Sequence, residues 1–146
     1  MKVVKKLLAP VLVVGLLLTS LVTLHNLKDT KKDNVFRIGI SQYITHKSLD
    51  ATRKGFIEEL KKEGYVDGKN IQIDFQNAQG EQRNLKNISK QLAEESDLVF
   101  AIATPSAQSL ANTTKSTPIV FSAVTDPLAA KLVKNLKEPG GNITGT

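Results

Sequence analysis

Two short segments of this chain are apolar almost from end to end: DLVFAIA at residues 97–103 and PIVFSAV at residues 118–124. A strand with apolar side chains on both faces needs cover on both faces, which is the situation of a central strand in a parallel sheet flanked by helices. Each run also hands over to a proline-marked stretch, Thr104-Pro105 in one case and Asp126-Pro127 in the other. Proline suits the first turn of a helix, where its missing N–H is not needed.

The rest of the chain from Val35 onward keeps this alternation. Residues 35–41 (VFRIGIS) read as a first strand. Ser48 is placed to cap a helix carrying Leu49, Thr52, Phe56, Ile57 and Leu60 at helical spacing, and Gly64 is placed to close it. Residues 70–76 alternate strictly around Ile71, Ile73 and Phe75, as a half-exposed edge strand does. A second helix is expected over about residues 81–96, with Leu85, Ile88 and Leu92 on one face. A third runs from Thr104 to about Thr114. A short fourth helix is expected to start at Asp126-Pro127 and stop at Pro139-Gly140-Gly141, and residues 142–146 open one more strand. The order βαβαβαβα(β) predicts an α/β fold, a parallel sheet with helices on both faces.

The first 34 residues are of another kind. Lys2, Lys5 and Lys6 precede an uncharged, Leu/Val-rich run over residues 7–24. As a helix this run measures about 27 Å, enough to cross a hydrocarbon core. Positive charge before it holds that end in the cytoplasm and places the remainder of the chain outside. No small-x-small cleavage site comes after the run, and there is no cysteine to lipidate. Residues 1–24 are therefore expected to be an uncleaved signal-anchor, a transmembrane helix, with a cleaved signal peptide as the alternative. Residues 25–34 read as a polar stalk. The net charge of +6 resides mostly here: residues 1–32 hold six lysines against one aspartate, whereas residues 33–146 are close to neutral. That distribution reflects membrane topology and gives no footing for a nucleic-acid partner.

Ligands of open parallel sheets bind beyond the carboxyl ends of the strands, at the switch in strand order. Three segments are expected there: residues 41–46, 103–108 and 123–126. Ser41 and Gln42 end the first strand, Gln42 offering both donor and acceptor, and Tyr43 has a ring that could stack on an apolar ligand. Thr104, Ser106 and Ala107 open a helix whose N-terminal N–H groups and dipole favour an anion such as a carboxylate; the two hydroxyls could equally cap that helix. Asp126 could pair with an ammonium group or cap the helix after it. His46 is one of two histidines, so a histidine-rich metal site is excluded. The chain has no G-x-S-x-G elbow, no phosphate-binding G-x-x-x-x-G-K-[ST] and no G-x-G-x-x-G, which leaves no motif context for an enzyme.

Five stretches, ISQYITHKSLD (40–50), KKEGYVDGKNIQIDFQNAQG (61–80), AIATPSAQ (101–108), VTDP (124–127) and PGGNITGT (139–146), resemble the ABC-transporter substrate-binding proteins of tryptophan or tyrosine uptake. The resemblance implies the type I periplasmic-binding-protein fold, two flavodoxin-like α/β lobes closing over a ligand. Residues 35–146 would then be the first lobe, with the second lobe missing from these 146 residues. It also implies an aromatic amino acid as ligand, ABC permease subunits as partners, no cofactor and no catalysis. Some Gram-positive members similarly keep an uncleaved anchor, leaving the domain on the outer face of the cell membrane. Carried over by position, Gln42 and His46 match the first ligand loop, Thr104, Ser106 and Ala107 the carboxylate cradle, and Asp126 the third loop. A ligand-sensing regulatory domain of the same fold is the alternative, but a hydrophobic segment stands where its DNA-binding helices belong. A receiver-like domain needs acidic residues where Ser41 and Gln42 stand.

Overall fold

A computed structural model describes residues 35–146; the expected anchor (1–24) and stalk (25–34) lie outside the described residues. Five strands form one parallel sheet: β1 (Phe36–Gln42), β2 (Ile71–Asn77), β3 (Leu98–Ile102), β4 (Ile119–Ser122) and β5 (Ile143–Gly145). Three helices connect the first four: α1 (Lys47–Lys62), α2 (Gln82–Glu95) and α3 (Thr104–Thr113). The strand order is β2-β1-β3-β4-β5, which is the flavodoxin-like order, with its switch between β1 and β3.

Alternation of side chains along the strands divides the core into two layers. On one face Ile38, Ile40, Ile71, Phe100 and Ile102 meet Leu49, Phe56, Ile57 and Leu60 of α1. The Phe56 and Phe100 rings stack there with centroids 4.0 Å apart. On the other face Val99, Ala101, Ile119 and Phe121 meet Leu85, Ile88 and Leu92 of α2 and Ala107 and Leu110 of α3. Full burial of Leu85, Leu92 and Leu110 contributes about 1.5–3 kcal/mol for each side chain. Gly39 is required by this packing, since a Cβ there would sit 2.6 Å from Ser96 Oγ and 3.1 Å from Leu92 Cδ2.

Local chemistry sets the boundaries. α1 starts two residues earlier than its serine suggests: His46, in an extended conformation, is the N-cap, and its ring nitrogen accepts from Ser48 N–H at 3.3 Å. At the other end Gly64 adopts φ +90°, and the pair Gly64 N–H to Lys61 O and Tyr65 N–H to Leu60 O makes a Schellman closure. β2 is an edge strand, as its alternation predicts, paired among the described strands with β1 alone. Its outer side is partly occupied by the turn before it: Gly68 N–H donates to Ile71 O, and Ile73 N–H donates to Asp67 Oδ1 at 2.8 Å.

The helix expected after Asp126-Pro127 does not form. A single turn appears, with Ala130 N–H on Asp126 O, before Lys131 takes φ +57° and Leu132 N–H returns to Pro127 O. The reversal lets the adjacent Leu132 and Val133 both enter the core, which a continuing helix would prevent by rotating them apart. The chain then reaches β5, where Asn142 Nδ2 donates to Thr117 O at 2.8 Å and ties the start of β5 to the start of β4. Among the described residues no helix is long and apolar enough to cross a membrane.

Candidate functional site

The register brings Gln42, Ile102 and Ser122 abreast at the carboxyl ends of β1, β3 and β4. The loops that begin at Tyr43, Ala103 and Ala123 thus start from one rim. Two of these three residues share an unusual backbone: Ala103 has φ +79°, ψ +155°, and Ala123 has φ +58°. Residues with a Cβ avoid this half of conformational space, and the strain costs of order 1–3 kcal/mol for each. Nothing in the sequence announces it, because both positions are alanine rather than glycine. Strain of this kind concentrates where backbone must meet a ligand.

Ala103 is also the N-cap of α3, and no side chain caps that helix. The N–H groups of its first turn are left without intrahelical acceptors, and Pro105 removes one of them in advance. Thr104 and Ser106 therefore do not serve as caps. Ser106 Oγ is fully buried and has no hydrogen-bond partner among the described residues; the same holds for Ser41 Oγ. Ala107 is buried beside them and brings only a methyl group to the first turn.

Gln42 is fully buried, on the α1 side of the sheet. Its Nε2 donates to Ile44 O at 2.9 Å and to Asp50 Oδ1 at 2.8 Å, while Oε1 has no partner among the described residues. Among the described residues the fourth buried polar atom without a partner is Arg53 Nε, whose guanidinium lies 4.1 Å over the Phe75 ring. Three of these four unpartnered atoms thus belong to residues at the rim. A buried polar group without a partner costs about 1–3 kcal/mol, so the larger part of this desolvation penalty falls on residues of the rim.

The remaining expected residues have local duties. His46 is exposed and caps α1. Tyr43 packs against the core and donates its hydroxyl to Gly80 O at 2.8 Å, fixing the loop after β2. Asp126 is exposed; its Oδ1 accepts from Leu128 N–H at 3.0 Å and Ala129 N–H at 2.9 Å, so it holds the single turn, while Oδ2 has no partner among the described residues. Sequence reasoning misses Asp50. Only the contact with Gln42 reveals it, because a carboxylate in a first helical turn normally signals nothing beyond the helix dipole. Among the described residues no cluster of histidine, aspartate or glutamate could hold a metal ion.

A flavodoxin-like lobe with three loops starting from one rim at the carboxyl ends of β1, β3 and β4 has the layout in which open α/β sheets bind ligands. Residues 37–146 match the family of ABC transporter substrate binding proteins, and the chain belongs to that family. A relative named as a tyrosine-binding protein of Clostridioides difficile (strain R20291) is 53% identical over 119 residues, covering 81% of this chain and 34% of that protein. The ligand-free, open form of a substrate binding protein with adhesive properties from Clostridium difficile superposes with TM-score 0.74 at 52% identity, covering 76% of this chain and 38% of that one. The ABC domain in complex with L-Trp from Streptococcus pneumonia does so with TM-score 0.74 at 47% identity, covering 77% and 38%. The chain thus spans about a third of the length of the curated relative it matches.

Proposed function

We propose that this chain is the first lobe of an extracytoplasmic solute-binding component of an ABC importer, and that it captures an aromatic amino acid for delivery to the permease. The observation that carries the ligand class is the pair of buried, unpartnered hydroxyls, Ser41 and Ser106, beside the uncapped N-terminus of α3. Such an arrangement suits a carboxylate, with the Thr104 and Ser106 N–H groups as donors and Ala107 leaving room for approach. Asp126 Oδ2 supplies a counter-charge for the ammonium group. The relatives named for tyrosine and L-Trp support the aromatic side chain.

In this reading a second lobe supplies the opposing wall, and ligand favours the closed state by contacting both lobes. The residue 7–24 segment anchors the protein in the membrane and leaves the lobe outside. Calorimetric titration of the full-length, two-lobed protein with amino acids, sugars and nucleosides tests the proposal. Saturable heat is expected with tyrosine or tryptophan. Heat with a sugar and none with any aromatic amino acid would overturn it.

A further inference from the structure

The Gln42 amide is held in one orientation by chemistry alone. Ile44 O and Asp50 Oδ1, its two neighbours at 2.9 and 2.8 Å, can only accept hydrogen bonds. A flipped amide would set its oxygen against a carbonyl and a carboxylate, so the NH2 group must face both. Both of its hydrogens are then in use, and Oε1 is left as a fixed acceptor, buried and without a donor among the described residues. The Asp50 carboxylate behind the amide polarises it and strengthens the oxygen as an acceptor.

The polar ends of an amino acid are already matched elsewhere on the rim: the carboxylate to the start of α3 and the ammonium to Asp126 beyond β4. Gln42 lies on the far side of β3 from β4 in the strand order, and its side chain faces the α1 layer. What an aromatic amino acid can bring there is its ring. Tyrosine and tryptophan, the two amino acids named for the relatives, share one feature that phenylalanine lacks, a ring-borne hydrogen-bond donor.

We infer that Gln42 is the specificity-determining residue for that ring donor and that Asp50 is its positioning residue, so that the site takes aromatic amino acids carrying a phenol O–H or an indole N–H and rejects phenylalanine. The inference rests on the aromatic amino acid reading above. A site built to satisfy a buried acceptor discriminates strongly against a ligand without the donor, because the acceptor is then sealed off from water and left unpaired.

The test is a set of calorimetric titrations of the full-length, two-lobed protein with L-tyrosine, L-phenylalanine and 3-(4-hydroxyphenyl)propionate, which lacks the amine. In the unaltered protein tyrosine is expected to bind at least about 100-fold more tightly than phenylalanine. Gln42→Leu is expected to bring that ratio within about threefold while leaving the preference for tyrosine over its deaminated analogue in place. Gln42→Met gives the same readout should leucine at this position prevent folding. Asp50→Ala is expected to lower the tyrosine-to-phenylalanine ratio in part. Asp50→Asn, which can still present an oxygen to the amide, is expected to retain it. A Gln42 variant that erases the preference for the amine instead, or leaves both ratios unchanged, overturns the inference without touching the proposed function. An unaltered protein that binds no aromatic amino acid overturns both.

Discussion

Gly145 on β5 and Phe121 on β4 are paired so closely that a methyl group at position 145 would run into the Phe121 carbonyl oxygen and the edge of its ring. The obstacle is backbone, so it cannot rotate aside. Gly145→Ala should therefore destabilise the lobe by about 1–3 kcal/mol, the usual cost of overpacking. Gly141→Ala, at a position with open space around it and no positive φ, should leave the urea midpoint of the chain nearly unchanged. Equal midpoints for the two variants would show that β5 does not seat against β4 as described.

The two strained alanines should respond to glycine in the direction opposite to helical alanine. Ala103→Gly and Ala123→Gly relieve positive φ angles and should raise stability by about 1 kcal/mol or more. Ala111→Gly, inside α3, should lower it by about 1 kcal/mol. Thermal melts of the three variants decide the matter. Loss of stability at position 103 comparable to that at 111 would contradict the backbone geometry assigned to the rim.

Much of the sheet was legible because its signals are global. The doubly apolar runs of β3 and β4 and the strict alternation of β2 state how many faces each strand buries. Gly64 and Pro105 mark helix ends through backbone chemistry that depends on few neighbours. Local signals with more than one solution misled. Asp126-Pro127 has the form of a helix start, but the demand of Leu132 and Val133 for burial turns the chain at Lys131. Ser48 has the form of a cap, but His46, two residues earlier, takes that place. The site was legible only as a set of loops. The Gln42–Asp50 contact and the unpartnered Ser41 and Ser106 hydroxyls depend on tertiary placement, which residue type does not encode.

Asp126 separates structural from binding roles through a pair of substitutions. Asp126→Asn keeps an oxygen for Leu128 N–H and Ala129 N–H and so preserves the turn. By removing the charge it should weaken amino-acid binding in the two-lobed protein by about 1–3 kcal/mol. Asp126→Ala should lower thermal stability as well, because those two N–H groups lose their acceptor. If the asparagine variant binds normally and the alanine variant only melts earlier, Asp126 holds the turn and nothing else.

The 146-residue chain by itself should bind poorly, since one lobe leaves the other side of any ligand in water. Losing half of a micromolar affinity of about 8 kcal/mol leaves millimolar binding or weaker. Chemical-shift titration of the chain with tyrosine and tryptophan measures this directly. Saturation below about 100 μM, or about 5.5 kcal/mol, would show that the rim of this lobe suffices.

The Asp67 carboxylate on Ile73 N–H has a consequence for how such molecules tolerate crowding. An edge strand offers a row of unused amides on which a strand from a neighbouring molecule can align and begin a fibril. In β2 the first of those places are taken by the molecule's own turn, with Gly68 on the Ile71 carbonyl and Asp67 on the Ile73 amide. An incoming strand therefore meets a filled position carrying negative charge, and the alternating apolar residues of β2 cannot be zipped up from their beginning. One aspartate in a surface turn thus occupies the amide at which such pairing would start, a contribution that owes nothing to any ligand at the rim.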